Sequence, residues 1–107
     1  MPRKKQEELD DDGQTLTLER EKVRIPRHYI VWMHNDDYTT QEFVVSVLVK
    51  FFYKSSEEAT HLMMMVHLQG RAKVGVFTKD LAETKVNQVT AYARENDMPL
   101  VLTAEPE

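Results

Sequence analysis

Cysteine is absent from the 107 residues of the chain, which removes disulfide frameworks and thiol chemistry from consideration. Such a sequence suits a reducing compartment, and the cytoplasm is the expected location. Long apolar runs are missing too, with none near the ~18 residues of a membrane span. The opening stretch MPRKKQEELDDDGQ has basic residues but no apolar segment behind them, so no secretory signal is expected there. Glycine is scarce, at three residues, and no glycine-rich loop offers a phosphate cradle. A basic excess is also lacking. The net charge is −4; residues 1–27 are balanced and the remaining 80 carry the whole negative excess. A nucleic-acid binder should show a basic footprint, so neither nucleic acid nor membrane is expected as a partner.

What is present suits one soluble domain. The chain is 41% hydrophobic and 30% charged, and its length can bury a single core without staples. Residues 1–27 are charge-rich and poor in apolar side chains, so they read as a flexible N-terminal extension. Within them TLTLER (15–20) alternates weakly and suggests an edge strand on a partner. Pro26 marks the boundary, and residues 28–107 form the expected core domain.

The core reads as strand, helix, helix, strand, helix, strand. HYIVWMH (28–34) alternates, with apolar residues on both sides, as a covered central strand would. TTQEFVVSVLVKFFYKSS then takes a helical period, with Phe43, Val47 and Phe51 on one stripe and Val44, Leu48 and Phe52 on the next. Thr39 and Glu42 have the spacing of a capping box, as do Ser55 and Glu58 before a second helix that ends at Gly70. Ala59, Met63, Val66 and Gly70 share a face of that helix. AKVGVF (72–77) is a second strand, in which Gly75 signals a bulge or a close approach. Thr78 caps a third helix over 79–96, with Ala82, Val86, Val89 and Ala93 as its stripe. Pro99 ends it, LVLT (100–103) makes a last strand, and AEPE is expected to fray. The simplest solution is α+β: a small sheet covered on one face by three helices.

Asn35, Asp36 and Asp37 lie where the first strand gives way to the first helix. With Thr39 taken as the cap, they have no evident local duty, and loops held by rigid elements commonly carry function. The alternative is a plain loop whose Asn and Asp bond nearby amides. His67 shares a helical face with Met63, Val66 and Gly70, which fits either a pocket wall with a polar tip or ordinary core. His34, Asp36, Asp37 and His67 suggest a zinc set, but no pair has ligand spacing on one helix, and no metal or other cofactor is expected. Nor is there an activated nucleophile with a base, so the chain is not expected to be an enzyme. A small metal-assisted hydrolase, or a generic interaction domain using the His/Asp cluster, stands as the alternative.

NDDYTTQEFVV, ATHLMMMVHLQG, GVF, AETK and PL follow one another as they do in the ClpS adaptors, which this chain resembles from about Tyr29 to Glu105. The resemblance implies a three-stranded antiparallel sheet with three helices in the order β-α-α-β-α-β. It implies an adaptor for substrates with an N-terminal Leu, Phe, Tyr or Trp, the bacterial N-degron, delivered to a Clp AAA+ unfoldase and its ClpP peptidase. It assigns Asn35, Asp36, Asp37 and His67 to the free α-amine, leaving open which aspartate touches it. It assigns Met33, Thr39, Gln41, Val44, Met63, Val66 and Leu100 to the pocket for the first side chain. Asp80, Glu83 and Lys85 are implied to dock on the N-terminal domain of a ClpA-type or ClpC-type unfoldase, although their spacing alone suggests a solvated helix face. Residues 1–27 match the family's variable extension in position. The chain departs from the family at Gln41, where many members carry methionine at the pocket rim, at His34, usually aliphatic, and at Thr40, commonly proline. Gln41 is expected to alter discrimination against Ile and Val, or to improve tolerance of tyrosine.

Overall fold

The computed structural model describes residues 26–107. The expectations of a flexible arm over 1–27 and of strand character at 15–20 fall on residues outside this range or at its edge. The elements are β1 (His28–His34), α1 (Gln41–Phe52), α2 (Ser56–Gln69), β2 (Arg71–Thr78), α3 (Lys79–Glu95) and β3 (Val101–Pro106). The three strands form one antiparallel sheet in the order β2-β1-β3, so the first strand is central. Among the described residues no helix is long and apolar enough to cross a membrane.

Alternation along the strands decides which side the helices cover. Val31 and Met33 of β1, Ala72 and Val74 of β2 and Leu102 of β3 are all buried. They meet Val44, Val47, Leu48 and Phe52 of α1, Ala59, Leu62, Met63 and Val66 of α2, and Ala82, Val89 and Ala93 of α3 in one core. Apolar side chains at three- and four-residue spacing are what a helix needs to bury one face against a sheet. Phe43 and Phe51, on the less buried stripe of α1, instead pack on Tyr92 of α3, with ring centroids 5.5 and 5.1 Å away.

Among the described residues no helix lies over the opposite sheet face, which corrects the expectation that β1 is covered on both sides. Trp32 and Ile30 are half-buried there. The guanidinium of Arg71 lies 3.8 Å from the Trp32 ring centroid and 3.4 Å from the Glu105 carboxylate, so one cation spans all three strands. A cation over an indole shelters the ring without an apolar layer.

Two further expectations are corrected. The cap of α1 is Thr40, whose Oγ1 accepts from the Phe43 amide at 3.1 Å; Thr39 is one residue too early and is bonded elsewhere. AEPE does not fray: Ala104, Glu105 and Pro106 pair with Val31, Ile30 and Tyr29, and the Glu107 amide donates to the His28 carbonyl at 2.9 Å. Proline is tolerated there because β3 is an edge strand. Ser55 caps α2 by accepting from the Glu58 amide, and Gly70 ends that helix with φ of 89°. Thr78 stands at the N-cap of α3, but its side chain makes no capping bond.

Gly75 combines both meanings expected of it. The β1–β2 register shifts between Val31 and Trp32, leaving Val74 as the extra residue of a bulge. A Cβ on Gly75 would sit 2.5 Å from the ring of Phe77, which itself packs on Phe52. Gly75→Ala is therefore expected to lower stability by about 1–3 kcal/mol through overpacking. Thermal or urea unfolding would measure this, and Phe77→Leu in the same chain should recover part of the loss.

Candidate functional site

The site begins with one backbone bond. The Asn35 amide, just past the end of β1, donates to the Gly70 carbonyl at 2.9 Å. Gly70 has left-handed φ, and its own amide donates to the Val66 carbonyl at 3.0 Å, closing the last turn of α2. These bonds bring the end of a strand against the end of a helix 35 residues later in the chain. His67, in that last turn, thereby comes to the same cavity as Asn35.

Asp36 shapes the loop that follows. Its Oδ1 accepts from the amides of Tyr38 and Thr39 at 2.8 and 2.7 Å, and its Oδ2 accepts from the Thr39 hydroxyl at 2.6 Å. Burial works against the charge of this carboxylate. The bonds from Thr39 and Tyr38, aided by the Arg94 guanidinium, outweigh burial and hold its pKa below the ordinary aspartate value. Arg94 is fixed by donating to the carbonyls of Met98 and Leu100 at 2.8 and 3.1 Å. Asp37 is different. It is exposed, and no hydrogen bond or ion pair among the described residues engages its carboxylate. Two adjacent aspartates thus divide between a loop brace and a free anion.

Together these elements enclose a cavity of about 460 Å³. Asn35, Asp36, Asp37 and Thr39 line it from the loop, Gln41 and Val44 from α1, and Met63, Val66 and His67 from α2. All four residues assigned to amine binding are therefore gathered in one place, along with five of the seven assigned to the hydrophobic pocket. Met33 and Leu100 are not on the lining. Both are 0% exposed, in the core they share with Val44, Met63 and Val66. Tyr38, Thr40 and Glu42 also face the cavity, and sequence reasoning did not select them. Their position within one short loop and helix start was the available signal. Tyr38 is 80% exposed, an unusual setting for a large aromatic.

His34 lies elsewhere. It points to the uncovered sheet face, where its Nε2 is 2.8 Å from the Thr103 hydroxyl. It cannot join Asp36, Asp37 and His67 around an ion, and among the described residues no three His, Asp or Glu side chains are grouped to hold one. Asp80, Glu83 and Lys85 are also remote from the cavity. Asp80 and Glu83 are exposed on α3. Lys85 is half-buried and donates to the Phe51 carbonyl at 2.7 Å, at the C-terminal end of α1, with the Tyr53 ring 4.9 Å away. A cation there satisfies an orphan carbonyl and complements the helix dipole.

Comparison with known proteins bears on what this cavity is. The family model for the ATP-dependent Clp protease adaptor protein ClpS matches residues 24–103. The ATP-dependent Clp protease adapter protein ClpS of Cronobacter sakazakii is 56% identical over 86 residues, covering 80% of this chain and 81% of that protein. The protein of the same name from Deinococcus radiodurans is 49% identical over 96 residues, covering 90% of this chain and 85% of its own. Among solved structures, Agrobacterium tumefaciens ClpS2 bound to L-phenylalaninamide superposes with a TM-score of 0.76 at 42% identity, over 78% of this chain and all of that one.

The bracing role of Asp36 has a measurable consequence. Asp36→Ala and Thr39→Val should each cost roughly 1–2 kcal/mol, and together clearly less than their sum, because they share bonds. The sign with pH follows from the lowered pKa. The advantage of the native protein over Asp36→Ala is complete above the ordinary aspartate range and shrinks as pH falls through the lower folded-state value. Urea unfolding of both chains between neutral pH and about pH 3 would show the convergence.

Proposed function

The chain belongs to the ClpS family of ATP-dependent Clp protease adaptors, and we propose that it captures proteins by a free N-terminal amine and a bulky first side chain (Leu, Phe, Tyr or Trp), then delivers them to a Clp AAA+ unfoldase. The observation that carries this reading is the Asp37 carboxylate, which no group among the described residues engages, in a cavity that sets Asn35 and His67 beside the apolar side chains of Val44, Met63 and Val66. A protein N-terminus is mostly ammonium at neutral pH and offers three donors with one charge. An internal peptide group offers no charge and only one donor. A reader of such an end needs several acceptors, at least one of them anionic. Asn35 supplies a carbonyl oxygen, Asp37 the negative charge and a ring nitrogen of His67 a lone pair. Three hydrogen bonds already occupy the Asp36 oxygens, which supports Asp37 rather than Asp36 as the amine ligand.

Val44, Met63 and Val66, with Thr39 and Gln41 at the edge, receive the first side chain. Burying a Leu or Phe there contributes roughly 1.5–3 kcal/mol. Met63 is unbranched and can adjust to side chains of different shape. Met33 and Leu100 stand behind this lining in the shared core. L-phenylalaninamide, the ligand of the Agrobacterium relative, joins a free amine to a phenylalanine side chain and an amide, which is the proposed substrate end in miniature.

No step of this function breaks a bond, so the chain acts as an adaptor and not an enzyme. Delivery falls to a separate surface, with Asp80 and Glu83 facing a ClpA-type or ClpC-type N-terminal domain. Lys85 belongs to the same docking surface, with its ammonium held to the Phe51 carbonyl and the Tyr53 ring 4.9 Å away. Residues 1–27 form the extension that helps transfer the substrate, residues 28–107 form the binding core, and the cytoplasm is the compartment.

Two measurements test the capture reading. A fluorescent peptide beginning with Leu should bind, and acetylating its N-terminus should weaken binding about 100-fold, since acetylation removes the charge and two donors. Asp37→Asn should cost about tenfold. Equal affinity of the free and acetylated peptides would overturn the reading.

Histidine chemistry supplies the second test. A permanent cation at position 67 would stand against the ammonium and offer no lone pair to accept from it. His67→Lys should therefore weaken binding of the Leu peptide about tenfold or more, and His67→Gln, which keeps an acceptor, clearly less. Equal affinities of the native and His67→Lys chains would remove His67 from the acceptor role.

A further inference from the structure

A second hollow opens beside the first. It holds about 380 Å³ and is lined by Gln41, Glu42, Val45 and Ser46 of α1 and Met63 of α2. Gln41, Glu42 and Met63 face both cavities, so they form the wall between them. Val45 and Ser46 lie one helical turn beyond Gln41 and Glu42, a step of about 5.4 Å. Val45 and Met63 give this hollow an apolar lining. Glu42 is its one ionisable group, and no ion pair among the described residues involves that carboxylate. Nor does Glu42 close a capping box, because the cap of α1 is Thr40.

The spacing matches a bound chain. An extended peptide rises about 3.3 Å per residue and places alternate side chains on the same side, so side chains one and three stand roughly 6.6 Å apart. A chain whose first residue fills the first cavity and which continues along α1 brings its third side chain to the second hollow. Its second side chain points away.

Resting on the N-terminal capture proposed above, we infer that the hollow between Gln41, Val45, Ser46 and Met63 is a subsite for the third residue of the substrate, favouring apolar and long basic side chains and disfavouring acidic ones. Leucine at that position buries apolar surface against Val45 and Met63. Lysine or arginine lays its methylene stem on the same surface and brings its cationic end to Glu42. An acidic side chain meets Glu42 there and the free Asp37 carboxylate of the adjoining cavity, with like charge on both.

The test uses the full chain and fluorescent peptides of the form Leu-Ala-X with X as Ala, Leu, Lys or Asp, beside a Leu-X-Ala series. At position three, Leu and Lys should bind about fivefold tighter than Ala, and Asp about fivefold weaker, while position two should vary less than about twofold. Glu42→Gln should remove the preference for Lys over Asp. Ser46→Phe should fill the hollow and flatten the gain from Leu. These are ratios within one protein, so a loss of folding does not imitate them. Equal affinities across position three in the native chain, or ratios that survive both substitutions, overturn the subsite and leave amine capture standing. A Leu-Ala-Ala peptide that binds equally well when acetylated overturns the capture reading and the subsite with it.

Discussion

One hydrogen bond, from the Asn35 amide to the Gly70 carbonyl, decides which side chains meet in this protein. A strand end and a helix end leave their last polar groups unpaired, and each of those groups needs a partner. Here each end satisfies the other. The geometry needs Gly70, whose φ of 89° is one that side-chain-bearing residues rarely adopt, although nothing lies within 4 Å of where a Cβ would go. The constraint at Gly70 is therefore one of backbone conformation and not of space. Once the turn is fixed, His67 one turn back on α2 and Asn35 at the end of β1 share one cavity wall. The cavity is in this sense a by-product of how the chain ends one helix and one strand together.

The same logic separates residues of identical chemistry. Asp36 and Asp37 cannot be told apart by composition, and Thr39 and Thr40 both look like caps. The structure assigns them by which backbone amides each can reach. Asp36 takes the amides of Tyr38 and Thr39, and Thr39 gives its hydroxyl back to Asp36. Thr40 is then left to cap α1. Asp37 is the remainder, a charge with no partner among the described residues. Exposed carboxylates are common, so exposure alone means little. In the proposed reading, its place in the cavity that Asn35 and His67 also line is what gives it a task.

Much of the fold was legible because periodicity reports burial directly. The element order, the helical stripes and the end of α2 at Gly70 follow from apolar spacing and one glycine. The parts that were not legible depend on contacts distant in sequence. Lys85 reads as a surface cation, yet it satisfies the Phe51 carbonyl 34 residues away. The last strand reads as ending at Thr103, since AEPE is short, polar and contains proline. Pairing with β1 extends it to Pro106, and nothing local announces that. Trp32 reads as a core residue, and its shelter comes instead from Arg71 on the neighbouring strand. At the site, residue types and spacing located the loop and helix that form the cavity, but could not show that Met33 and Leu100 lie behind its lining.

This arrangement bears on how a small domain can bind a short chain end tightly. A peptide terminus offers little surface, so the cost of ordering the protein around it must be small. Every backbone segment around the cavity is held by bonds that a ligand does not have to form: Asn35 by Gly70, the loop by Asp36, the start of α1 by Thr40 and the end of α2 by its own Gly70 turn. Among the described residues, the side chains of Asn35, Asp37 and His67 stand on these fixed supports without a hydrogen bond or ion pair of their own. In the proposed reading, such pre-organised acceptors discriminate by what they leave unsatisfied. A chain lacking the ammonium would leave the Asp37 charge without a partner, and that penalty falls on internal peptide segments and blocked termini alike. In the proposed reading the choice of a free end rests on the terminus itself, and contacts further along the chain, such as those at the hollow beside Val45, only adjust affinity, which is what an adaptor for many unrelated proteins requires.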